Sequence, residues 1–404
     1  MIPFSPPRID QKILDEVSEA LRSGWITTGP RTKLFEKKIN EYIGSKKTVC
    51  LNSATAGLEL VLRWYGVQEG DEVIVPAYTY SSTGNVVLHC GAKVVFVDAQ
   101  ADFNVDPQAI KDAITSKTKV IMSVDLGGYP VDYDEIMAIA QSEEIKALFQ
   151  PRNKNQEQLA RPLVLADSAH AFGARYKGKM LGSIVDAHGF SFHAVKNLST
   201  AEGGCVCFNL PDSFDHEALY KHMCIISLHG QTKDALAKTQ KGNWRYDIVE
   251  AGYKCNMTDL SAALGLVELE RYESETLPRR KDIMERYHEA FSSESWAECP
   301  AFLIENKQSS YHLYMLRIKG VEEGQRDEII QRIFDKEVSV NVHFQPLPLF
   351  TAYKRLGYSI SDYPKAYDNY SREISLPIYY DLSIAEQEQV IAAVKSAVTE
   401  VIGI

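Results

Sequence analysis

The chain has 404 residues, 45% hydrophobic and 24% charged, ordinary for a globular protein with room for two domains and a large core. Its 54 acidic and 44 basic side chains give a net charge of −10, which argues against a nucleic-acid partner. With seven unpaired-looking cysteines, no signal-like start and no apolar run of about 18 residues, the expectation is a soluble cytoplasmic protein with no membrane partner.

From about residue 47 to 210, short apolar runs alternate with helical patterns. Thr48–Leu51 reads as a strand and Ala56–Arg63 as a helix; Glu72–Val75 reads as a strand and Ser82–Cys90 as a helix. Lys93–Asp98 and Thr118–Val124 are further strands around a helix from Pro107 to Ile114, which Asp106 caps ahead of a first-turn proline. The polar, turn-rich stretch Ala147–Arg161 exceeds the roughly 2–6 residues usual for such a connection and reads as a surface insertion. The strand Leu163-Val-Leu-Ala-Asp167 follows, and Cys205 and Cys207 share one face of a later strand as packing residues.

After residue 250 the texture changes. Thr258 to about Phe291 carries a long helical pattern with a possible break near Pro278. Tyr311–Arg317 and Val338–His343 read as strands, with helices near Gln325–Phe334 and Ile384–Val401. The expectation is an α/β fold: a large three-layer domain with a mostly parallel sheet over residues 1–260, and a smaller α+β domain over 261–404.

Parallel sheets bind ligands at the carboxyl ends of their strands, where Ser53, Asp167 and Lys196 fall. A lysine amine becomes nucleophilic when its pKa is lowered or when it is held as a Schiff base. A carboxylate at a neighbouring strand end suits the ring nitrogen of pyridoxal phosphate, and Asp167 lies 29 residues before Lys196. Leu51-Asn-Ser-Ala-Thr-Ala-Gly57 runs from strand to helix, either as a phosphate cradle or as simple capping. Tyr80 can face a flat cofactor ring or pack under a loop. His170 and His193 can donate to cofactor oxygens or stack; the competing account is a structural or metal-binding role. No pair of spacings makes a zinc pattern, so no metal is expected. Dinucleotide, P-loop and serine-hydrolase motifs are absent.

In chain order, Trp25-Ile-Thr-Thr-Gly-Pro30, Asn52–Gly57, Gly70-Asp-Glu-Val73, Asp167-Ser-Ala-His-Ala-Phe-Gly173, Ser191-Phe-His-Ala-Val-Lys196, Ala201-Glu-Gly-Gly204, Leu228-His-Gly230, Gly252–Asp259 and Val342-His343 resemble the DegT-type sugar-nucleotide aminotransferases. That family belongs to the fold type I pyridoxal phosphate enzymes, and the likeness covers nearly the whole chain. The wording of Ser191–Gly204 and Tyr246–Asp259 is most similar to the branch that makes UDP-4-amino-4-deoxy-L-arabinose.

The resemblance implies pyridoxal 5′-phosphate as cofactor, pyridoxamine phosphate as its intermediate form, a nucleotide-linked 4-keto sugar as substrate and L-glutamate as amino donor. Under it Lys196 is the Schiff-base lysine and proton carrier, Asp167 pairs with the ring nitrogen, and His170 lies near the ring or its phenolic oxygen. Tyr80 stacks on the ring, and Ser53, Ala54, Thr55 and Ser191 hold the phosphate, with His193 beside them. Asn256 reaches in from the partner subunit of a homodimer whose active sites lie at the interface. Trp25, Thr27, Thr28, Gly29, His193, His229, Trp244, Arg245, Tyr246 and His343 are the sugar-nucleotide candidates. Asp125, where relatives commonly have His, and the 147–161 insertion depart from the family pattern and leave the sugar open. A 3-keto or lipid-linked sugar is the alternative substrate, and a non-catalytic sensor on the same fold is the rival from another class.

Overall fold

The computed structural model describes residues 1–234 and 245–403. The alternating segments form a seven-stranded sheet in the order Lys47–Leu51, Gly204–Phe208, Ala187–Ser191, Leu163–Asp167, Thr118–Val124, Glu72–Pro76, Lys93–Val97. Every neighbouring pair is parallel except those made by Gly204–Phe208, which is antiparallel to both strands beside it. The three strands at 72–76, 118–124 and 163–167 are buried along their whole length, which is why their centres read as consecutive apolar residues rather than as an alternation. Helices Ala54–Trp64, Ser81–His89 and Pro107–Ala113 stand where the periodicity puts them, and the Asp106 side chain caps the last by accepting from the Gln108 N–H.

The C-terminal part is a three-stranded antiparallel sheet of Ala297–Glu298, Tyr314–Ile318 and Glu373–Leu376, with helices Glu323–Asp335 and Ile384–Ile402. The chain is therefore an α/β protein with a large, mostly parallel three-layer domain and a smaller α+β region. The two are laced together. Lys307–Gln308 pairs with Arg175–Tyr176, and the Ile2 N–H donates to the Glu337 carbonyl at 2.7 Å. Among the described residues, no helix is long and apolar enough to cross a membrane.

One expectation needs correction and two gain detail. Val338–His343 is not a strand: it makes only isolated bridges, Val338 to Ile2 and Asn341 to Ser375. Its alternating apolar residues are buried by packing rather than by a continuous ladder. The long helix breaks ahead of Pro278, through a π-helical turn at Tyr272–Thr276 between Asp259–Arg271 and Leu277–Phe291. The 147–161 stretch is not a loose loop. It carries the helix Lys154–Leu159, whose Gln156 and Asn153 side-chain amides donate to the Tyr65 carbonyl at 2.8 and 3.0 Å. Its last residue, Arg161, is buried and forms a two-pronged pair with Asp186, both contacts 2.7 Å. Removing one partner of such a pair costs about 3–5 kcal/mol.

Candidate active site

The carboxyl edge of the sheet opens into a cavity of about 330 Å³, inside the roughly 300–1,000 Å³ range of small-molecule sites. Its floor holds Lys196 and Asp167, and Ser53, Ala54 and Thr55 line one side. Tyr80, His170, Ser191, His193 and His343 also face it. The antiparallel strand Gly204–Phe208 has a purpose here: running backwards, it starts at this edge and brings Glu202 and Gly203 to the same cavity.

Burial lowers the Lys196 amine from its ordinary value to about 8, against the pull of Asp167 in the other direction. Asp167 is buried, and burial raises its carboxyl pKa. Hydrogen bonds from the Thr83 hydroxyl to Oδ2 (2.8 Å) and from the Ala169 N–H to Oδ1 (3.2 Å) oppose that rise, as does Lys196. Thr83 is not legible in the sequence, since a threonine in an ordinary helix start carries no distinguishing pattern.

Ser53 caps the helix Ala54–Trp64, its Oγ accepting from the Ala56 N–H at 3.1 Å. The N–H groups of Ala54 and Thr55 belong to the first turn, which has no intrahelical acceptors. A Cβ on Gly204 would stand 2.3 Å from the Ala54 nitrogen, so only glycine lets the strand and this helix start approach so closely.

His170 accepts at Nδ1 from the Gly127 N–H at 3.2 Å, and Phe344 stacks on its ring at 5.6 Å. Burial first, then Lys196 and His343, hold its imidazole well below the usual histidine range. Tyr80 is exposed, its ring 5.4 Å from Phe344. Burial depresses His343 to about 3, and its Nδ1 lies 2.9 Å from the Ser375 hydroxyl. Phe4, Ser5, His312 and Phe344 complete the wall. None of these four was singled out in the sequence reading, since each is separated from Lys196 by more than a hundred residues.

The remaining candidates do not meet in this cavity. Trp25, Thr27, Thr28, Gly29, Asn256, His229, Arg245 and Tyr246 are absent from its wall. Asn256 lies beside the edge strand, bridged to Leu51, and its amide donates to the Thr28 hydroxyl at 2.5 Å, while the Gly29 N–H donates to Asp259 at 2.8 Å. His229 is exposed with φ 59°, and Arg245 and Tyr246 are exposed on the segment bridged to residues 228–231. The physical reason is placement: Asn256 and the Thr28–Gly29 segment bonded to it and to Asp259 sit at the outermost strand of the sheet, while the cavity opens at its central strands. Trp244 lies outside the described residues. Asp125 also turns away from the cavity; Tyr133 and Ser168 donate to it at 2.6 Å, and burial raises its carboxyl to about 6.

A half-buried lysine of lowered pKa, a buried carboxylate and an open helix start on one strand edge define the cofactor site of a fold type I aminotransferase. The chain belongs to the DegT/DnrJ/EryC1/StrS aminotransferase family, whose profile matches residues 7–150 and 155–395. Only residues 151–154 of the inserted stretch fall outside that match. The spore coat polysaccharide biosynthesis protein SpsC of Bacillus subtilis is 38% identical over 98% of this chain and 97% of its own length. The putative sugar aminotransferase Spr1654 of Streptococcus pneumoniae, solved in a PMP-form, is 49% identical, covers 99% of this chain and 100% of its own, and superposes with a TM-score of 0.95. Helicobacter pylori PseC, an aminotransferase of pseudoaminic acid biosynthesis, is 26% identical with a TM-score of 0.86 over 99% of both chains.

The residues present fit pyridoxal phosphate. Lys196 can condense with its aldehyde, the buried Asp167 is placed to hold a protonated ring nitrogen, and the first-turn N–H groups of Ala54 and Thr55 suit a phosphate. The protein is a pyridoxal-phosphate-dependent sugar aminotransferase.

Proposed function

We propose that the chain transfers the amino group of L-glutamate to a nucleotide-linked 4-keto sugar, giving a 4-amino sugar for a cell-surface polysaccharide. The observation that carries the chemistry is Lys196, its amine lowered to about 8, facing Asp167 across one cavity. When bound, pyridoxal phosphate supplies an aldehyde for amines and a ring that accepts electrons.

The chain's own residues do the rest. With the cofactor bound, neutral Lys196 Nζ would take the α-proton from the donor amino acid in the first half-reaction and would supply a proton to C4 of the sugar in the second. Asp167, held by Thr83 and the Ala169 N–H, keeps a proton on the ring nitrogen. Ser53, Ala54, Thr55 and Ser191 would hold the phosphate and His170 and Tyr80 the ring, leaving His193 and His343 for the substrate.

The polysaccharide setting is supported by the name of the SpsC relative, and the nucleotide-linked 4-keto sugar by the resemblance of Ser191–Gly204 and Tyr246–Asp259 to the arabinose branch. A homodimer completes the site. Its support is that Asn256 and Trp25 do not reach the cavity of their own chain, and that the apolar side chains of Ile9, Leu14, Leu21, Ile26, Tyr246 and Ile248 are each more than half exposed. The test is a panel of nucleotide-linked 4-keto and 3-keto sugars and lipid-linked keto sugars with L-glutamate, read by product mass. Amination of the 4-keto members is expected; amination confined to 3-keto or lipid-linked members would overturn the substrate reading.

A further inference from the structure

We propose that Asn197 and His312 are positioning residues of the aminotransferase site: the Asn197 amide fixes the His312 imidazole as its Nδ1–H tautomer, and that ring packs against His170, whose own proton the Gly127 N–H places on Nε2 beside Lys196. Directionality follows from groups that can act in only one way. The Ser310 carbonyl can only accept, and Asn197 Nδ2 lies 2.7 Å from it, so the other end of the amide is its oxygen. That oxygen lies 2.8 Å from His312 Nδ1, which must then carry the proton. The lone pair of His312 is left on Nε2. At the neighbouring ring the logic runs the other way. The Gly127 N–H can only donate, so His170 Nδ1 accepts and its proton sits on Nε2.

The two rings lie 4.4 Å apart at 42° and both line the cavity. Among the described residues, neither Nε2 has a hydrogen-bond partner. The wall next to Lys196 thus presents one ring donor and one ring acceptor. Rigid supports hold the pair in place. The fully buried Arg280 donates to the carbonyls of Tyr311 (2.9 Å) and His312 (2.8 Å), and the Ser310 hydroxyl donates to the His170 carbonyl. Asn197 directly follows Lys196, so the lock also pins the loop that carries the nucleophile. A neutral amide at this place, where a carboxylate would favour an imidazolium, keeps positive charge on Lys196 rather than on the ring beside it. Burial and the nearby Lys196 act in the same sense on both imidazoles.

What His170 does for the cofactor rests on the function proposed above; which nitrogens carry protons does not. The experiment is ring-15N NMR of histidine in the full-length protein as purified and again after cofactor removal, with H312Q and H170Q to assign the signals. Expected are two neutral rings near neutral pH, His312 protonated at Nδ1 and His170 at Nε2. Asn197→Ala should lose the single His312 tautomer, and Asn197→Asp should move His312 towards the imidazolium pattern and lower kcat about tenfold with KM for the sugar little changed. A wild-type His312 protonated at Nε2 or charged, or an Asn197→Ala spectrum identical to wild type, would overturn the inference. Should either variant fail to fold, the wild-type spectrum still decides. Should no keto sugar be aminated, the function proposed above fails while the tautomer result stands.

Discussion

Two regions of the molecule deal with ligands in opposite ways. The floor of the cavity is built from the ends of adjacent central strands, and its carboxylate is buried and held by hydrogen bonds from Thr83 and Ala169. The rim around Trp25–Gly29 and residues 245–256 lies along the edge strand, is largely exposed, and does not reach the cavity of its own chain. Chemistry that every turnover needs sits where the sheet is most rigid. Under the proposed function, recognition of the sugar falls to these exposed segments and to a second subunit, and loops of that kind vary while the scaffold stays fixed.

The contrast can be broken most decisively at its centre. Lys196→Ala should abolish transamination, on the order of 10³-fold or more in kcat, with unchanged circular dichroism, because among the described residues that line the cavity no other carries an amine. Near-normal turnover in that variant would sink the assignment. Asp167→Asn should lower kcat by on the order of 10²-fold, since the amide cannot hold a positive ring nitrogen, and single-turnover kinetics with glutamate would read this.

The next effect depends on pH. Lys196 is charged and unreactive below its lowered pKa of about 8 and a neutral nucleophile above it. The rate of cofactor uptake by stripped protein should therefore rise about tenfold per pH unit up to that value and level off beyond it. A flat profile between pH 6 and roughly 9 would show that the amine is already neutral. The smallest effect belongs to the rim. Trp25→Ala and Tyr246→Ala should raise KM for the nucleotide sugar several-fold and leave the spectrum of the bound cofactor and the glutamate half-reaction unchanged. A rim variant that bleached the cofactor spectrum instead would erase the distinction between the two regions.

Much of the cavity floor is legible in the residues themselves. Fully buried strands leave unbroken apolar runs, helices leave their period, and in a parallel sheet the strand ends share one edge, so Ser53, Asp167 and Lys196 are brought together by topology alone. Thr83, Asn197 and His312 are not legible in that way. Their side-chain partners lie 84, 113 and 115 residues away in the chain, and no local period reports such a pairing. Val338–His343 shows the same limit from the other side: its alternation is real burial, met by packing and isolated bridges instead of a ladder. The 147–161 stretch reads as a surface insertion because its composition is polar and turn-rich, and its anchors are not legible there: Gln156 and Arg161 are buried with partners on other segments.

By itself the sequence determined the alternating architecture, the pairing of a nucleophilic lysine with a strand-end carboxylate, and the family, because each is written in local periodicity or in ordered short motifs. Only the tertiary structure decided that Asp125 faces inward while His312 and Phe344 face the cavity, that Asp167 is held by Thr83, and that the Trp25 and Asn256 segments stand outside the cavity of their own chain. Those choices depend on how faces far apart in the chain pack against one another. Burial sets the pKa of Lys196 in the same way: the sequence supplies the amine, and the fold supplies the low-polarity surroundings that make it a base.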